Sequence, residues 1–152
     1  MENKYKVRIM RSEIRNIKNV AYGEIKYMNY GSINKKASCD KTDIVGIYGQ
    51  NGSGKTALVE SLDMLRQILT GNAVDYKMYE GILSRDGSSS ISTEFFVWIG
   101  EEKYKVDYQA CLRVDEKEKA IQIYSEKLQY WQRGTSWKSE RDIACLLYTS
   151  DA

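Results

Sequence analysis

The chain has 152 residues, 42% of them hydrophobic, enough for one core that buries about two-thirds of the unfolded surface. Its formal net charge of +2 is too small to indicate nucleic-acid binding, and the absence of histidine excludes Ser-His-Asp and Cys-His catalysis within the chain. Three widely spaced cysteines and the lack of a long apolar run indicate no disulfide framework, zinc site or membrane partner, so we expect a cytoplasmic protein.

Residues 5–28 alternate polar and apolar side chains in two stretches, as in Lys6, Val7, Arg8 and Ile9. This period of two predicts two strands, joined by a turn at 16–19. Basic residues gather in the first stretch, and we interpret them as the solvated face of an outer strand. A polar connection follows at 29–41.

Residues 44–48 form a short apolar run rich in β-branched side chains, Ile-Val-Gly-Ile-Tyr. Such a run is typical of a parallel strand buried on both faces. We therefore predict that 44–48 is the central strand of the fold.

The segment directly after this run fits the phosphate-binding pattern G-x-x-x-x-G-K-[ST]. Its residues are Gly49, Gln50, Asn51, Gly52, Ser53, Gly54, Lys55 and Thr56. The glycines permit positive φ and let phosphate oxygens approach the backbone N–H groups. Lys55 is predicted to neutralise the β and γ phosphates of a nucleotide, and the Thr56 hydroxyl to bind Mg²⁺.

A helix is predicted to begin at Lys55 and to add its positive N-terminal dipole to the phosphate site. Its apolar residues recur at helical spacing and predict one core-facing side, with a stop at 71–72. They are Leu58, Val59, Leu62, Leu65, Ile68 and Leu69.

From residue 91 the apolar period changes to two, which predicts an antiparallel meander with turns near 100–102 and 115–119. The strands proposed here are 91–99, 104–114 and 120–124, with a further one near 128–131. The aromatic residues of this region are predicted to pack rather than to stack on bases.

Residues 5–142 resemble the N-terminal lobe of an ABC-type ATPase head of the SMC, RecF and OLD-like group, often called AAA family ATPases. The likeness is in the stretch Glu-Ile-Arg-Asn-Ile-Lys-Asn-Val at 13–20, the loop wording Asn-Gly-Ser-Gly-Lys at 51–55, and the antiparallel β region after the helix. The resemblance implies an α/β P-loop NTPase fold with a central P-loop strand-helix unit and an antiparallel β-meander subdomain.

The resemblance also implies ATP and Mg²⁺ as cofactors, a nucleotide contact at Lys18, and a head-to-head homodimer in which two heads enclose two nucleotides. DNA or an effector protein would be a partner, and a C-terminal lobe would complete the ATPase. The sequence contains no apolar run ending in Asp-Glu, no Leu-Ser-Gly-Gly signature and no assignable Q-loop glutamine, so no catalytic residue is assigned.

Residues 145–152, Cys-Leu-Leu-Tyr-Thr-Ser-Asp-Ala, resemble a translated sequencing adapter. We expect 1–144 to be an incomplete ATPase lobe and 145–152 a non-biological tail; the other interpretation of 144–148 is a genuine apolar strand. Two alternative functions stay open for the chain. One is another P-loop enzyme, a kinase or a GTPase, and the other is a non-hydrolysing, nucleotide-dependent interaction module.

Overall fold

The protein is described from a computed structural model, which covers residues 5–27 and 44–132 in full and the backbone of 140–146. Six strands and two helices lie in these ranges. They are β1 Tyr5–Ile17, β2 Val20–Lys26, α1 Lys55–Leu69, α2 Tyr76–Tyr79, β3 Ser89–Ile99, β4 Glu102–Asp115, β5 Ala120–Gln132 and β6 Glu140–Leu146. β6 crosses the boundary that the sequence suggested between 144 and 145.

The strands form one antiparallel sheet in the order β2-β1-β3-β4-β5-β6. β1 and β2 are a hairpin around Lys18 and Asn19, and β3 to β6 are a meander. The hairpin and the meander predicted from the period-two patterns are both confirmed. The stretches 120–124 and 128–131, however, belong to the single strand β5.

One face of the sheet, which we call the helix face, packs against α1. The core between them is apolar and includes Ile14 and Ile91 from the sheet with Met64 and Leu65 from α1, all at most 3% exposed. Alternate residues of a strand point to the same face, so one face of each long strand supplies this core.

The predicted helix is confirmed from Lys55 to Leu69, and Gly71, with φ 73°, reverses the chain after it. The side facing the core is rotated from the predicted one. Ala57, Ser61, Met64 and Leu65 are buried, whereas Val59 and Leu69 are exposed. Sequence periodicity does not show which small polar residue faces the sheet; here the Ser61 hydroxyl donates to the Leu58 carbonyl, 2.6 Å away, and so can be buried.

The predicted α/β P-loop NTPase fold is wrong for this structure. Residues 44–48 form no strand and pair with none of the described strands, and Ile44 and Tyr48 are 87% and 93% exposed. The segment therefore reaches the loop as irregular chain, and the described residues contain no central strand-helix unit. An apolar run becomes a strand only when another strand supplies partners for its backbone, and the antiparallel sheet is built without it.

Part of the helix face extends beyond α1 and leaves apolar side chains uncovered. Tyr5, Val7 and Ile99 are 70%, 54% and 49% exposed, and the register places them side by side at one end of β1 and β3. Within the described residues, neither helix is long and apolar enough to cross a membrane.

Candidate functional site

The segment 49–56 consists of a loop at 49–54, most of it exposed, and the first two residues of α1. Gly52 and Gly54 have φ values of 83° and 85°, in the left-handed region that a residue with a Cβ atom rarely adopts. The structure therefore accounts for glycine at two positions of the motif. Residues 49–53 are exposed to solvent, and within the loop the Ser53 N–H donates to the Gln50 carbonyl oxygen over 3.3 Å.

The start of α1 has the properties of an anion-binding helix end. Gly54 is the N-cap residue, no side chain caps the helix, and its first turn contains no acidic residue. The first N–H groups of a helix have no partner within the helix and carry a partial positive charge. The N-terminus of α1 can therefore donate hydrogen bonds to phosphate oxygens that reach it.

The ammonium group of Lys55 lies inside the curve of the loop. Its Nζ donates to the carbonyl oxygens of Gly49 and Gln50, 2.7 and 2.6 Å away, and lies 3.3 Å from Ser53 Oγ. The loop thus wraps around its own lysine, which concentrates positive charge at the site where the motif predicts phosphates. A phosphate that binds here would exchange these neutral carbonyl acceptors for charged oxygens.

Thr56 lies in the first turn of α1, next to Lys55, and is exposed. Its hydroxyl is a hard oxygen ligand of the kind that Mg²⁺ prefers, and Mg²⁺ often combines one or two protein ligands with phosphate oxygens and water. No group of three or more His, Cys, Asp or Glu side chains suited to a metal occurs in the part of the chain that the structure describes. Thr56 therefore fits Mg²⁺ as one ligand of a nucleotide complex.

The β1–β2 hairpin holds the loop from the side. Asn19 Nδ2 donates to the Gly52 carbonyl oxygen over 3.3 Å, and a Cβ atom added to Gly54 would lie 2.7 Å from Val20 Cγ2. The sequence predicted a turn at 16–19 and a nucleotide contact at Lys18, but not the contact of Asn19 with the loop. No local pattern reports this contact, because the hairpin is more than 30 residues upstream of the loop.

Lys18, the predicted nucleotide contact, also lies beside α1, where its ammonium group pairs with Glu60. Nζ is 2.8 Å from each carboxylate oxygen of Glu60, and both side chains are partly exposed. The structure therefore brings Lys18 to the neighbourhood of the loop but engages its charge with a carboxylate of α1.

A groove of about 340 Å³ lies between the hairpin and the loop. Tyr22 and Glu24 line it on the hairpin side, and Tyr48 and Lys55 on the loop side. The Glu24 carboxylate accepts hydrogen bonds from Arg11, which has the larger effect, and from Tyr22. These bonds lower the pKa of Glu24 from its usual value to about 2, so the carboxylate is ionised at neutral pH.

Comparison of the chain with protein-family models, curated proteins and solved structures finds no match.

Proposed function

We propose that the loop 49–56 binds the triphosphate of ATP together with Mg²⁺. The main support for the proposal is the position of the Lys55 ammonium group. It is the only ammonium in the segment 49–56, and it lies on the concave side of the loop, at the uncapped N-terminus of α1. Positive charge and unpartnered backbone donors in one place are the requirements for binding a polyphosphate.

In this proposal the backbone N–H groups of the loop, contributed by Gly52, Ser53 and Gly54 among others, bind the phosphates. Lys55 neutralises charge on the β and γ groups, and the Thr56 hydroxyl is a ligand of Mg²⁺. The metal would supply positive charge that shields the phosphates.

The groove between the hairpin and the loop supports a nucleotide rather than pyrophosphate alone. Its volume of about 340 Å³ lies in the range of small-molecule sites, about 300–1,000 Å³. It runs from Lys55 past Tyr22 and Tyr48, whose aromatic rings are flat surfaces of the kind that pack against a base.

The only part of the resemblance to ABC-type heads that supports this proposal is the amino-acid sequence of the loop. That group uses ATP, works as head-to-head dimers and acts with DNA or effector proteins in the cytoplasm, and for this chain each of those properties is a hypothesis. We propose ATP binding for the chain, and ATP hydrolysis only for a larger protein that supplies a catalytic base.

The test is isothermal titration of the purified chain with ATP, with and without Mg²⁺. We expect Lys55→Ala to weaken binding at least tenfold, and Thr56→Ala to remove most of the gain from Mg²⁺ while binding without metal persists. Lys77→Ala is the matched control, because it removes an exposed lysine on α2 and should change the affinity less than twofold. Circular dichroism of each variant checks that it is folded.

Three outcomes would contradict the proposal. Binding that is equally weakened by Lys77→Ala would be non-specific, and binding that survives Lys55→Ala would lie elsewhere. A preference for GTP over ATP would favour the alternative of another P-loop enzyme.

A further inference from the structure

The face of the sheet opposite α1, which we call the opposite face, carries an array of cations and aromatic rings at one end. The strand register places cross-strand neighbours there in two rows. The first row is Lys6, Trp98 and Lys103. The second row is Arg8, Phe96, Lys105 and Trp131.

Basic and aromatic side chains alternate in both rows. They contain four basic residues, and the acidic residue in register with them among the described strands is Glu140 of β6, opposite Trp131 at the end of the second row. Lys6 Nζ lies 5.8 Å from the Trp98 ring centroid, and Lys105 Nζ lies 4.9 Å from that of Trp131. Both distances are within the range of cation–π contacts. The array therefore interleaves positive charge with flat π surfaces.

The array ends sharply at the next row, where the charge changes sign. That row pairs Arg11 with Glu94 and Asp107, and the Glu94 carboxylate is 2.7 Å from the Lys105 ammonium. Charge complementarity to an anion is therefore limited to the end of the sheet with the two tryptophans.

The rings differ in how they are placed. Phe96 is fully buried beneath Trp98, with ring centroids 4.5 Å apart and planes at 58°, and it packs with Met10. Trp98 and Trp131 are partly exposed. The buried Phe96 thus supports one indole from below, and a ligand can reach the two outer indoles.

We propose that these two rows bind a single strand of nucleic acid, which gives Trp98 and Trp131 a role different from the packing predicted for them from the sequence. Bases stack on Trp98 and Trp131, the ammonium group of Lys103 binds a phosphate between these bases, and that of Lys6 binds a phosphate on the other side of Trp98. Strands lie about 4.8 Å apart and residues rise about 3.3 Å, so the two indoles, two strands and one row apart, are about 12 Å from each other. Each therefore takes its own base.

The chemistry fits this ligand better than others. Stacking on aromatic side chains combined with contacts to the phosphate backbone is how single strands are bound without sequence preference. A second copy of the chain packed through the same rows would bring the like charges of Lys6, Arg8 and Lys103 together, which is repulsive. The charge of Lys105, in contrast, is balanced by Glu94 and Asp107. A base pair in a duplex hides its faces, so duplex DNA could use the cations but not the indoles.

The experiment is fluorescence anisotropy with a labelled 20-nucleotide oligo(dT) at 50 mM salt. We expect the wild-type chain to bind, and the double variant Lys6→Glu and Lys103→Glu to bind at least tenfold more weakly. Lys127→Glu is the matched control, because it makes the same charge change at an exposed position on the same face, outside the rows. It should change the affinity less than twofold.

A second pair of measurements separates stacking from charge. Trp131→Leu keeps an apolar side chain and should weaken oligo(dT) binding about fivefold or more, with the salt dependence unchanged. For two to four phosphate contacts, the slope of log affinity against log salt is expected to lie at about −1.4 to −2.8. Oligo(dT) should also quench tryptophan fluorescence, whereas inorganic polyphosphate should not.

The proposal is overturned if the wild-type chain does not bind oligo(dT), or if Lys127→Glu weakens binding as much as the double variant. It also fails if polyphosphate competes as well as oligo(dT), or if vesicles containing anionic lipid bind more tightly. Lys55→Ala should leave oligo(dT) binding intact, so this result stands apart from the nucleotide site.

Discussion

Replacement of Gly54 by alanine tests whether the β1–β2 hairpin fixes the loop. Gly54 has a φ of 85°, which costs a residue with a Cβ atom about 1–2 kcal/mol. The added methyl group would also lie 2.7 Å from Val20 Cγ2, and overpacking of this kind costs about 1–3 kcal/mol. We expect the free energy of unfolding to fall by about 2–5 kcal/mol, the sum of these two costs.

Gly52 is the matched control for this substitution. It has a similar φ of 83°, but a Cβ atom there would meet nothing within 4 Å. Gly52→Ala should therefore show only the conformational cost, about 1–2 kcal/mol. The difference between the two variants measures the contact with the hairpin.

A double-mutant cycle with Val20→Ala makes the test specific, because it removes the methyl group that Gly54→Ala would strike. We expect the double variant to be more stable than the sum of the two single changes predicts, by about 1 kcal/mol or more. Urea titrations followed by circular dichroism give these values. Equal costs for Gly52→Ala and Gly54→Ala, or strict additivity in the cycle, would refute the contact between hairpin and loop.

Three further predictions concern acid stability, solubility and turnover. Hydrogen bonds from the Tyr79 hydroxyl, Arg66 and Gln67 lower the pKa of Asp63 from its usual value to about 2. The folding stability that these bonds provide is complete above about pH 4 and is lost as the pH falls through 2. Tyr79→Phe should therefore lower the urea midpoint more at pH 6 than at pH 2, and an equal loss at both pH values would contradict the link. Val7→Lys, at an exposed apolar position, should raise the fraction of chain that stays in solution after centrifugation, whereas Ile14→Lys in the core should lower it; no gain from the first would contradict the exposed patch. The purified chain should show no ATP turnover above background in a phosphate-release assay, because Glu24, the acidic residue lining the groove, has a pKa of about 2 and is a weak base. Steady turnover that disappears when the loop lysine is replaced would contradict this expectation.

The parts of the fold that the sequence predicted correctly are those set by local pattern. Alternation of apolar residues along 5–28 and 91–131 gave the hairpin and the meander, because a strand with one buried face needs that period. The glycines at 52 and 54 predicted the loop, and the apolar spacing after Lys55 predicted α1. Both are also local patterns. The strand predicted at 44–48 was wrong, because the segment has the composition of a strand but a strand also depends on distant partners.

The sequence could not predict which residues surround the loop, because those residues come from segments distant in the chain. Asn19, Val20 and Glu24 approach the loop only because β1 and β2 form a hairpin that packs next to the start of α1. The two rows on the opposite face depend equally on register, which pairs Trp98 with Lys6 and Lys103 from two other strands.

For this protein, the sequence alone determined the strands of the hairpin and the meander, the helix after Gly54, and which residues have the chemistry to bind phosphate, but not that 44–48 is irregular. Backbone conformation and side-chain period are local properties, so they can be read within a window of a few residues. The tertiary structure decided which strands pair, which face α1 covers, and that the loop at 49–56 adjoins an antiparallel sheet without a central parallel strand. Those outcomes depend on contacts between residues far apart in the chain, whose energies no local pattern contains.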